Sequence, residues 1–335
     1  MLILLLSCGS GTTNMEDPKT TFLNSIANLG KGFLDVFTSL SDMITGAFGI
    51  KAETKKSDIG KYFSDIEKTM NTVKNKLNTV VAENSNYPKI KEVVDNFITN
   101  TLDKIADGAK EAAKGATTDT VIGNAVKEGQ DAVAADTTSV NLLVKGIKTI
   151  VGIVLKDGEG DSSATKTKDE QQKSIGKLFA KKDGDRAQEA EAAAASASIG
   201  AVTGADILQA IAKSGMASEG KDIDQSKDVA EIATAKNDSG TKETKRKDAV
   251  IAGGIALRAM AKGGKFAAKN EDKAVPAVNG AAASAVGKTL STLIIAIRNT
   301  VDSGLKTISD ALAAVKQGDK SADSTTPAEA TASGQ

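Results

Sequence analysis

Residues 57–83, which read SDIGKYFSDIEKTMNTVKNKLNTVVAE, decide the fold of this chain. Large apolar side chains recur there at alternating steps of four and three, at Ile59, Phe63, Ile66, Met70, Val73, Leu77 and Val80. This spacing predicts an α-helix with one continuous apolar seam, as in helical bundles and coiled coils. The helix is expected to end at residues 84–88, where Pro88 suits the first turn of the next helix.

The same helical periodicity recurs on both sides of this seam. Apolar residues predict long helices over 22–44, 90–105, 140–154 and 286–315. Shorter helices are predicted over 174–180, 189–197 with an extension through 199–211, and 249–268. The two strongest apolar stripes therefore lie near opposite ends of the chain.

Polar segments without helical periodicity separate the weaker helices in the middle of the chain. They cover residues 156–172, 213–228 and 236–247. Residues 216–228 and 236–247 are expected to bury almost nothing. Surface loops of this kind tolerate sequence change at little thermodynamic cost.

The composition predicts an all-α protein, because alanine, lysine and acidic residues are abundant and only 4 prolines occur. We expect an elongated helical bundle. Its N- and C-terminal helices pack as a membrane-proximal stalk, and its irregular loops lie at the distal end. No stretch after residue 8 is expected to span a bilayer, since the best candidate, 140–155, is interrupted by Lys145 and Lys148.

Charge and residue usage exclude several classes of function. The chain has 43 basic and 43 acidic residues, which argues against nucleic acid as a partner. It has no histidine, which removes catalytic arrangements built on a Ser-His or Cys-His pair. With 1 cysteine it can form no internal disulfide and no cysteine zinc site. We predict a protein that is not an enzyme and that needs no metal or cofactor.

Cys8 is that cysteine, and it directly follows the apolar run LILLLS at residues 2–7. An apolar run closed by a small residue and a cysteine is typical of bacterial lipoprotein signal peptides. The thiol of Cys8 would take up a diacylglycerol and its freed amine a further acyl chain, and several acyl chains make membrane attachment practically permanent. The alternatives are an ordinary cleaved leader with a chance cysteine and an N-terminal artefact. The first basic residue is Lys19, so we expect that the true start lies upstream of Met1.

These observations predict four regions. Residues 1–7 are a truncated signal peptide, and 8–19 form a lipidated tether rich in glycine, serine and threonine. Residues 20–316 form the helical domain, and 317–335 are a disordered polar tail.

Three short motifs are candidates for binding sites. Gly287-Lys288-Thr289 lacks the earlier glycine and the preceding strand of a phosphate-binding loop, so a helix interior is expected. Asp157, Glu159 and Asp161 alternate like calcium ligands, but the required glycine and final glutamate are absent. Residues 242–247, KETKRK, are a basic cluster that could bind an anionic polymer or simply be solvated. The glycine pairs at 253–254 and 263–264 are expected to allow close helix approach or to end a helix.

Several longer segments resemble the variable large proteins of relapsing-fever Borrelia. They are SIANLGKGF at 25–33, TGAFGIK at 45–51, KSDIGKYF at 56–63, VKGIKTIV at 144–151 and KSIGKLF at 173–179. IALRAMAK at 255–262 is also similar to the related surface antigen of Lyme-disease spirochaetes. The resemblance runs from about residue 16 to residue 315.

The resemblance implies an outer-membrane lipoprotein that faces the cell exterior and undergoes antigenic variation to evade host antibodies. It also implies a mostly helical, elongated fold, and it maps the lipidated cysteine onto Cys8. The partners would be outer-membrane lipid, through acylated Cys8, and host antibodies. An adhesin for glycosaminoglycan or matrix on the same scaffold is the alternative. Homo-oligomer formation, serotype and the epitope-bearing loops stay open.

Overall fold

The structure is a computed structural model that describes residues 49–316, except 84, 86, 183, 219 and 238–241, together with the helical residues Asn24 and Ala27. The signal peptide, Cys8 and the tether lie outside the described residues. So do nearly all of the helix predicted at 22–44 and the predicted tail at 317–335.

Helices dominate the described residues. They are α1 Lys56–Glu83, α2 Pro88–Phe97, α3 Asp103–Ala113, α4 Thr137–Val154, α5 Asp169–Ser174, α6 Glu189–Ala201, α7 Gly204–Lys213, α8 Val229–Ala233, α9 Asp248–Met260 and α10 Ala274–Ala313. Isolated bridges such as Val126 with Ala267 occur in the described part of the chain, but no β-strand does. The all-α prediction is confirmed, whereas the elongated stalk stays a prediction.

The seam that predicts α1 is the buried face of that helix. Ile59, Phe63 and Met70 are each 0% exposed, and Val80 at its end is 8% exposed. The seam packs mainly against α3. The prediction from spacing alone is therefore confirmed over the whole helix.

The helix after Pro88 contains one irregular turn. Pro88 occupies the first turn of α2, as predicted. A π-helical turn, Ile98–Leu102, then joins α2 to α3. It absorbs the step of five residues between Phe97 and Leu102 and keeps both side chains buried.

Helix α4 packs against α3 through two glycines. A Cβ atom on Gly146 would lie 2.4 Å from the carbonyl oxygen of Gly108, so the helices cross at close range. The cap of α4 is Asp136, whose carboxylate accepts a hydrogen bond from the Ser139 amide at 2.8 Å. Val140 and Ile147 are buried as predicted, while Lys145 and Lys148 face solvent.

The predicted extension of the alanine-rich helix through 199–211 is wrong. Helix α6 ends at Ala201, and α7 leaves it at an angle of 94°. Thr203 begins α7 by a reciprocal capping arrangement with Asp206, which competes with helix continuation. Gly204 then lies so close to Thr292 of α10 that its Cβ would be 1.8 Å from the hydroxyl oxygen.

Helix α9 is the central element, and it is shorter than predicted. Its contacts include α6, α7, α8 and α10, and 12 of its 13 residues are buried. It ends at Met260, not at residue 268. The backbone is already extended at Ala261, with a ψ of 153°, and Gly263 then has a φ of +83°, a conformation that favours glycine. Both glycine pairs therefore behave as predicted.

Helix α10 is the longest described helix, with 40 residues, and begins twelve residues before the predicted stripe. Its contacts include α2, α6, α7 and α9. By length and composition alone, α4 and α10 could each cross a membrane, so the contrary expectation is wrong. In this fold 50% of the α4 window and 56% of the α10 window are buried against other parts of the protein.

Candidate functional site

The three polar segments at 156–172, 213–228 and 236–247 touch one another, and we call them together the loop cluster. The Ile223 amide donates to the carbonyl of Lys236 at 2.8 Å, and the Lys236 amide donates to the carbonyl of Lys221 at 2.9 Å. Lys242 forms an ion pair with Asp222. Segments that are distant in sequence therefore form one continuous region.

Two hydrogen bonds link the first and third segments to residues just beyond each other's ends. The Thr244 amide of the third segment donates to the carbonyl of Lys173, one residue after the first segment, at 3.3 Å, and the Ala249 amide in the first turn of α9 donates to the carbonyl of Ala164 in the first segment at 3.1 Å. Most of these contacts join main-chain atoms. The described residues of the loop cluster, which exclude 219 and 238–241, thus have a defined conformation although they contain little helix.

The expectation that residues 216–228 and 236–247 bury almost nothing is wrong. Ile223 and Ser226 are 0% exposed, and Asn237 and Thr244 are nearly as buried. The segment at 156–172 also differs from the prediction, because its last four residues form the first turn of α5. Among the described residues, each segment has a few buried side chains that hold it to the helices, and the others are half-buried or exposed.

Asp248 attaches the first segment to the start of α9. Its carboxylate accepts hydrogen bonds from the Lys166 and Thr167 amides at 2.6 and 2.8 Å, and from the Ser198 hydroxyl at 2.7 Å. Burial by itself raises the pKa of Asp248, but hydrogen bonds from Thr167, Lys166 and Ser198 outweigh it and the pKa is lowered. The carboxylate of Asp248 thus binds main-chain amides of the first segment and a side chain of α6 at the same time.

Arg258 of α9 attaches the end of α8 and the segments that follow α8 and α9. Its guanidinium donates to the carbonyls of Ala233 and Ala235 at 3.0 and 2.9 Å, and to that of Lys265 at 3.0 Å. It also lies over the ring of Phe179, 4.8 Å from the ring centre. Burial lowers the pKa of Arg258 to about 9.

Lys56 is a second buried cation, at the start of α1. Its ammonium group donates to the carbonyls of Ala261 and Gly264 at 2.7 and 2.9 Å, just beyond the end of α9. Burial, and then the positive charges of Arg258 and Lys265, lower the pKa of Lys56 to about 7. The contact joins the first described helix to the end of the central one.

Arg186 is the third buried cation, and it also binds carbonyl groups. It donates to those of Ala268 at 3.0 Å, Gln130 at 2.7 Å, Val126 at 2.6 Å and Lys181 at 3.1 Å. Burial lowers the pKa of Arg186 despite nearby carboxylates. Each buried cation thus holds irregular backbone in place without reading the side chains of that backbone.

The sequence did not predict that these charged residues are buried. A cue was present, since Arg258 interrupts an apolar helical register and Lys56 precedes the first residue of the α1 seam. A charge in such a position is seldom buried unless it is satisfied. The sequence does not indicate the hydrogen-bond acceptors of these cations, which are mostly main-chain carbonyl groups far away in the sequence.

The phosphate-loop and calcium-loop motifs have structural roles. Lys288 and Thr289 lie inside α10, and the Lys288 ammonium donates to the carbonyl of Ile199 at 2.9 Å, at the end of α6. Glu159 accepts a hydrogen bond from the Lys156 amide at 3.0 Å, and Asp161 accepts one from the Ser163 amide at 2.8 Å. The described residues contain no group of three metal-binding side chains.

The basic cluster at 242–247 is only partly available to a partner. Lys242 is paired with Asp222, and the Arg246 guanidinium donates to the carbonyl of Ser226. Lys245 and Lys247 are exposed. The cluster is therefore half structural and half solvent-facing.

Comparison with protein families identifies the kind of protein that carries this arrangement. The family described as Borrelia lipoprotein matches residues 33–312. The chain belongs to the Borrelia lipoprotein family. The match covers α1 to α9 and nearly all of α10, and therefore the whole loop cluster.

Relatives within this family of Borrelia lipoproteins extend over the full chain. Variable large protein 4 of Borrelia hermsii is 64% identical, over 100% of this chain and 97% of that protein. Variable large protein 17 of the same species is 63% identical, over 100% of this chain and 96% of that protein. The resemblance drawn from short sequence segments is confirmed.

The fold of this Borrelia lipoprotein is also that of a solved structure. The crystal structure of the Lyme disease variable surface antigen VlsE of Borrelia burgdorferi matches with a TM-score of 0.77 and 32% identity. The match covers 88% of this chain and 100% of that one. The names of these relatives are those of variable proteins and of a surface antigen, not of enzymes, in agreement with the prediction of a non-enzyme.

Proposed function

We propose that this chain is an outer-membrane lipoprotein, acylated at Cys8 and facing the cell exterior, whose loop cluster varies so that host antibodies no longer bind. The family and the names of the relatives support a variable surface antigen. Cys8, placed after an apolar run and a small residue, supports the lipid anchor.

The observation that carries the proposal is how the loop cluster is held. Main-chain hydrogen bonds join its second and third segments, at Ile223 with Lys236 and at Lys236 with Lys221. The Asp248 carboxylate accepts hydrogen bonds from the amides of Lys166 and Thr167 in the first segment. These atoms are the same whatever side chain the residue carries. Exposed side chains can therefore change while the loops keep their conformation.

Such a scaffold suits evasion of antibodies. A few contacts dominate the affinity of most protein interfaces, so replacing a small number of exposed side chains abolishes recognition. In 156–171 the exposed residues include Lys156, Asp157, Glu159, Lys166 and Lys168. Their replacement costs little stability because exposed positions contribute little.

Anchoring and display are tested on intact cells. We would treat cells expressing the wild type or Cys8→Ala with protease and analyse the N-terminal peptide by mass spectrometry. We expect an acylated Cys8 and cleavage within the loop cluster in the wild type, and no acylation in Cys8→Ala. An unmodified N-terminus together with full protection from protease contradicts the proposal.

Antigenic variation is tested by exchanging loops. We would replace 156–172, 213–228 and 236–247 together with the corresponding segments of a relative. Antisera raised against the wild type should then lose most of their binding, while circular dichroism shows an unchanged helix content. Undiminished binding after the exchange contradicts a role of these loops as the variable epitopes.

A host-surface adhesin is the second candidate, and the exposed side chains of Lys245 and Lys247 favour it. Their charges would attract an anionic polymer such as a glycosaminoglycan. We would measure binding of lipid-free protein to glycosaminoglycan as a function of salt. Binding that weakens with salt supports the adhesin, and no binding at low salt rejects it.

A further inference from the structure

A cavity of about 250 Å³ lies between the start of α5 and the segment that leads into α9. Its lining includes four basic side chains, from Lys173, Lys245, Arg246 and Lys247, and one carboxylate, from Asp169. This volume is below the roughly 300–1,000 Å³ of a typical site for a drug-sized ligand, so the cavity suits a small group. The excess of positive charge indicates an anion.

Thr244 provides an independent observation in the same cavity. This residue lines the cavity and is 1% exposed, and its hydroxyl oxygen has no hydrogen-bond partner in the described structure. A buried hydroxyl without a partner costs free energy, so its presence calls for one. Because the surrounding side chains are cationic, a hydroxyl there is suited to donate to an anionic oxygen.

Arg246 also lines the cavity, and its guanidinium is held in a fixed position. Its Nε atom donates to the carbonyl of Ser226, and its Nη1 atom donates to the carbonyl of Lys245 at 3.1 Å. The described residues supply no partner for Nη2 of this side chain. A guanidinium fixed in this way presents a preorganised donor for an oxyanion.

Nearby carboxylates leave the cavity positive. Lys173 is paired with Glu170 at 3.0 Å, so this cation is partly neutralised. Asp248 is close to the cavity but is saturated by donors from the first loop segment and α6. Lys245, Arg246 and Lys247 form no ion pair with a described residue. Among the residues that line the cavity, their three charges exceed the single charge of Asp169, while Glu243, which also acts on Lys173, is not part of the lining.

We propose that this cavity binds a tetrahedral oxyanion, a sulfate or phosphate group, through the Thr244 hydroxyl, the Arg246 guanidinium and the ammonium groups of Lys245 and Lys247. The group is a free ion or part of a sulfated or phosphorylated molecule. The site lies in the third segment of the loop cluster and shares Lys245 and Lys247 with the adhesin candidate, but the inference is drawn from the wild-type cavity and does not rest on antigenic variation. Its failure would leave the anchoring and loop-exchange tests unaffected.

The test is a titration of the full chain with sodium sulfate and with sodium phosphate, followed by calorimetry and by the NMR signal of the Thr244 methyl group. Chloride keeps the ionic strength constant, so general screening does not change. We expect saturable binding of at least one ion. No saturable binding of either ion, or none beyond that of chloride, overturns the proposal.

Variants of Thr244 separate binding from folding. Thr244→Val keeps the shape and removes the hydroxyl, so it should weaken anion binding roughly tenfold, the effect of one hydrogen bond to a charged group. Its thermal midpoint should be unchanged or raised, because the unpartnered hydroxyl is gone. Thr244→Ser keeps the hydroxyl and should keep the binding. Wild-type affinity in Thr244→Val overturns the proposal.

A surface variant keeps the test decisive if Thr244→Val fails to fold. Lys247→Gln should weaken binding several-fold, while the matched control Lys104→Gln, an exposed lysine on α3, should not. Equal affinity of the two lysine variants contradicts the site. Sulfated, phosphorylated and unmodified forms of one disaccharide then identify the source of the group.

Discussion

Lys56 places its ammonium group 2.7 Å from the carbonyl oxygen of Ala261, 205 positions later in the chain. The contact joins the first residue of α1 to the residue that follows α9. One hydrogen-bonded charge thus connects two parts of the fold that are far apart in the sequence. Since the group is buried, its partners decide whether it stabilises or destabilises the protein.

Lys56→Met tests this contact. We expect the free energy of unfolding near neutral pH to fall by about 1–3 kcal/mol, because the carbonyls of Ala261 and Gly264 lose their donor. The matched control is Lys61→Met, on the same helix, where the side chain is 70% exposed and paired with Asp65. That control should change stability by less than about 1 kcal/mol. Urea unfolding of both variants measures the difference, and equal effects contradict the role of Lys56.

The effect of Lys56→Met should depend on pH. The pKa of Lys56 is about 7 in the folded chain against 10.5 for an ordinary lysine, so the unfolded state binds more protons between these values. Wild-type stability relative to Lys56→Met should therefore rise from about pH 7 towards pH 10 and stay level below pH 7. Urea midpoints of the two proteins across this range measure it, and a difference that shrinks with rising pH contradicts the assigned direction.

Asp248→Ala should release the first loop segment. We expect a loss of at least about 2 kcal/mol of stability, because buried donors at Lys166, Thr167 and Ser198 lose their acceptor. Hydrogen exchange should show lost protection at the Lys166 and Thr167 amides, while the Ile122 amide keeps its protection. The exposed Asp157 provides the control substitution, Asp157→Ala, and unchanged protection in Asp248→Ala contradicts the attachment.

Because the pKa of Asp248 is lowered, the stability that this residue contributes changes with pH in the acid range, whereas the contribution of Lys56 changes above about pH 7. The contribution of Asp248 is present above the ordinary value of 3.8 and is lost as pH falls through the lower value of the folded chain. Acid unfolding of the wild type should therefore be steeper below about pH 4 than that of Asp248→Asn. Parallel acid transitions of the two proteins would contradict the assigned shift.

The glycines of two helices should respond in opposite directions to alanine. In Gly254→Ala the new Cβ would lie 2.3 Å from Cγ2 of Ile232, so we expect a loss of roughly 1–3 kcal/mol. Gly152 of α4 has no atom within 4 Å of such a Cβ. Gly152→Ala should therefore raise stability by about 0.5–1 kcal/mol, since alanine favours the helix. Thermal unfolding of both variants measures this, and a loss in both would contradict the packing difference.

Exposed loop residues should be replaceable without loss of fold. Substituting Lys156, Asp157 and Lys166 together should change stability by less than about 1.5 kcal/mol and should reduce binding of antisera. A control with substitutions at Lys68, Asn71 and Asn75, on the exposed face of α1, should keep most of that binding. A larger loss of binding in the helix control would place the main epitopes on the helices.

The helices could be predicted where their signal was local. The seam from Ile59 to Val80 can be predicted from the period of its apolar residues alone. The helix start at Pro88 can be predicted from the fixed φ and the missing amide hydrogen of proline. The predictions failed at residues 199–211 and 249–268, where the apolar composition continues but the helix stops. There Thr203 caps a new helix, and Gly263 adopts a positive φ beside the site occupied by Lys56.

The sequence by itself determined the helical class, the apolar faces and the family, because these follow from periodicity, composition and segments of several consecutive residues. Only the tertiary structure decided how the loop cluster is held and which charges are buried. In the loop cluster Asp248 binds the main-chain amides of Lys166 and Thr167, and elsewhere the buried Arg258 and Arg186 bind main-chain carbonyls distant in the sequence. Every residue except proline carries the same amide and carbonyl. The pattern of side chains in the sequence therefore does not indicate which main-chain groups a buried charge will bind.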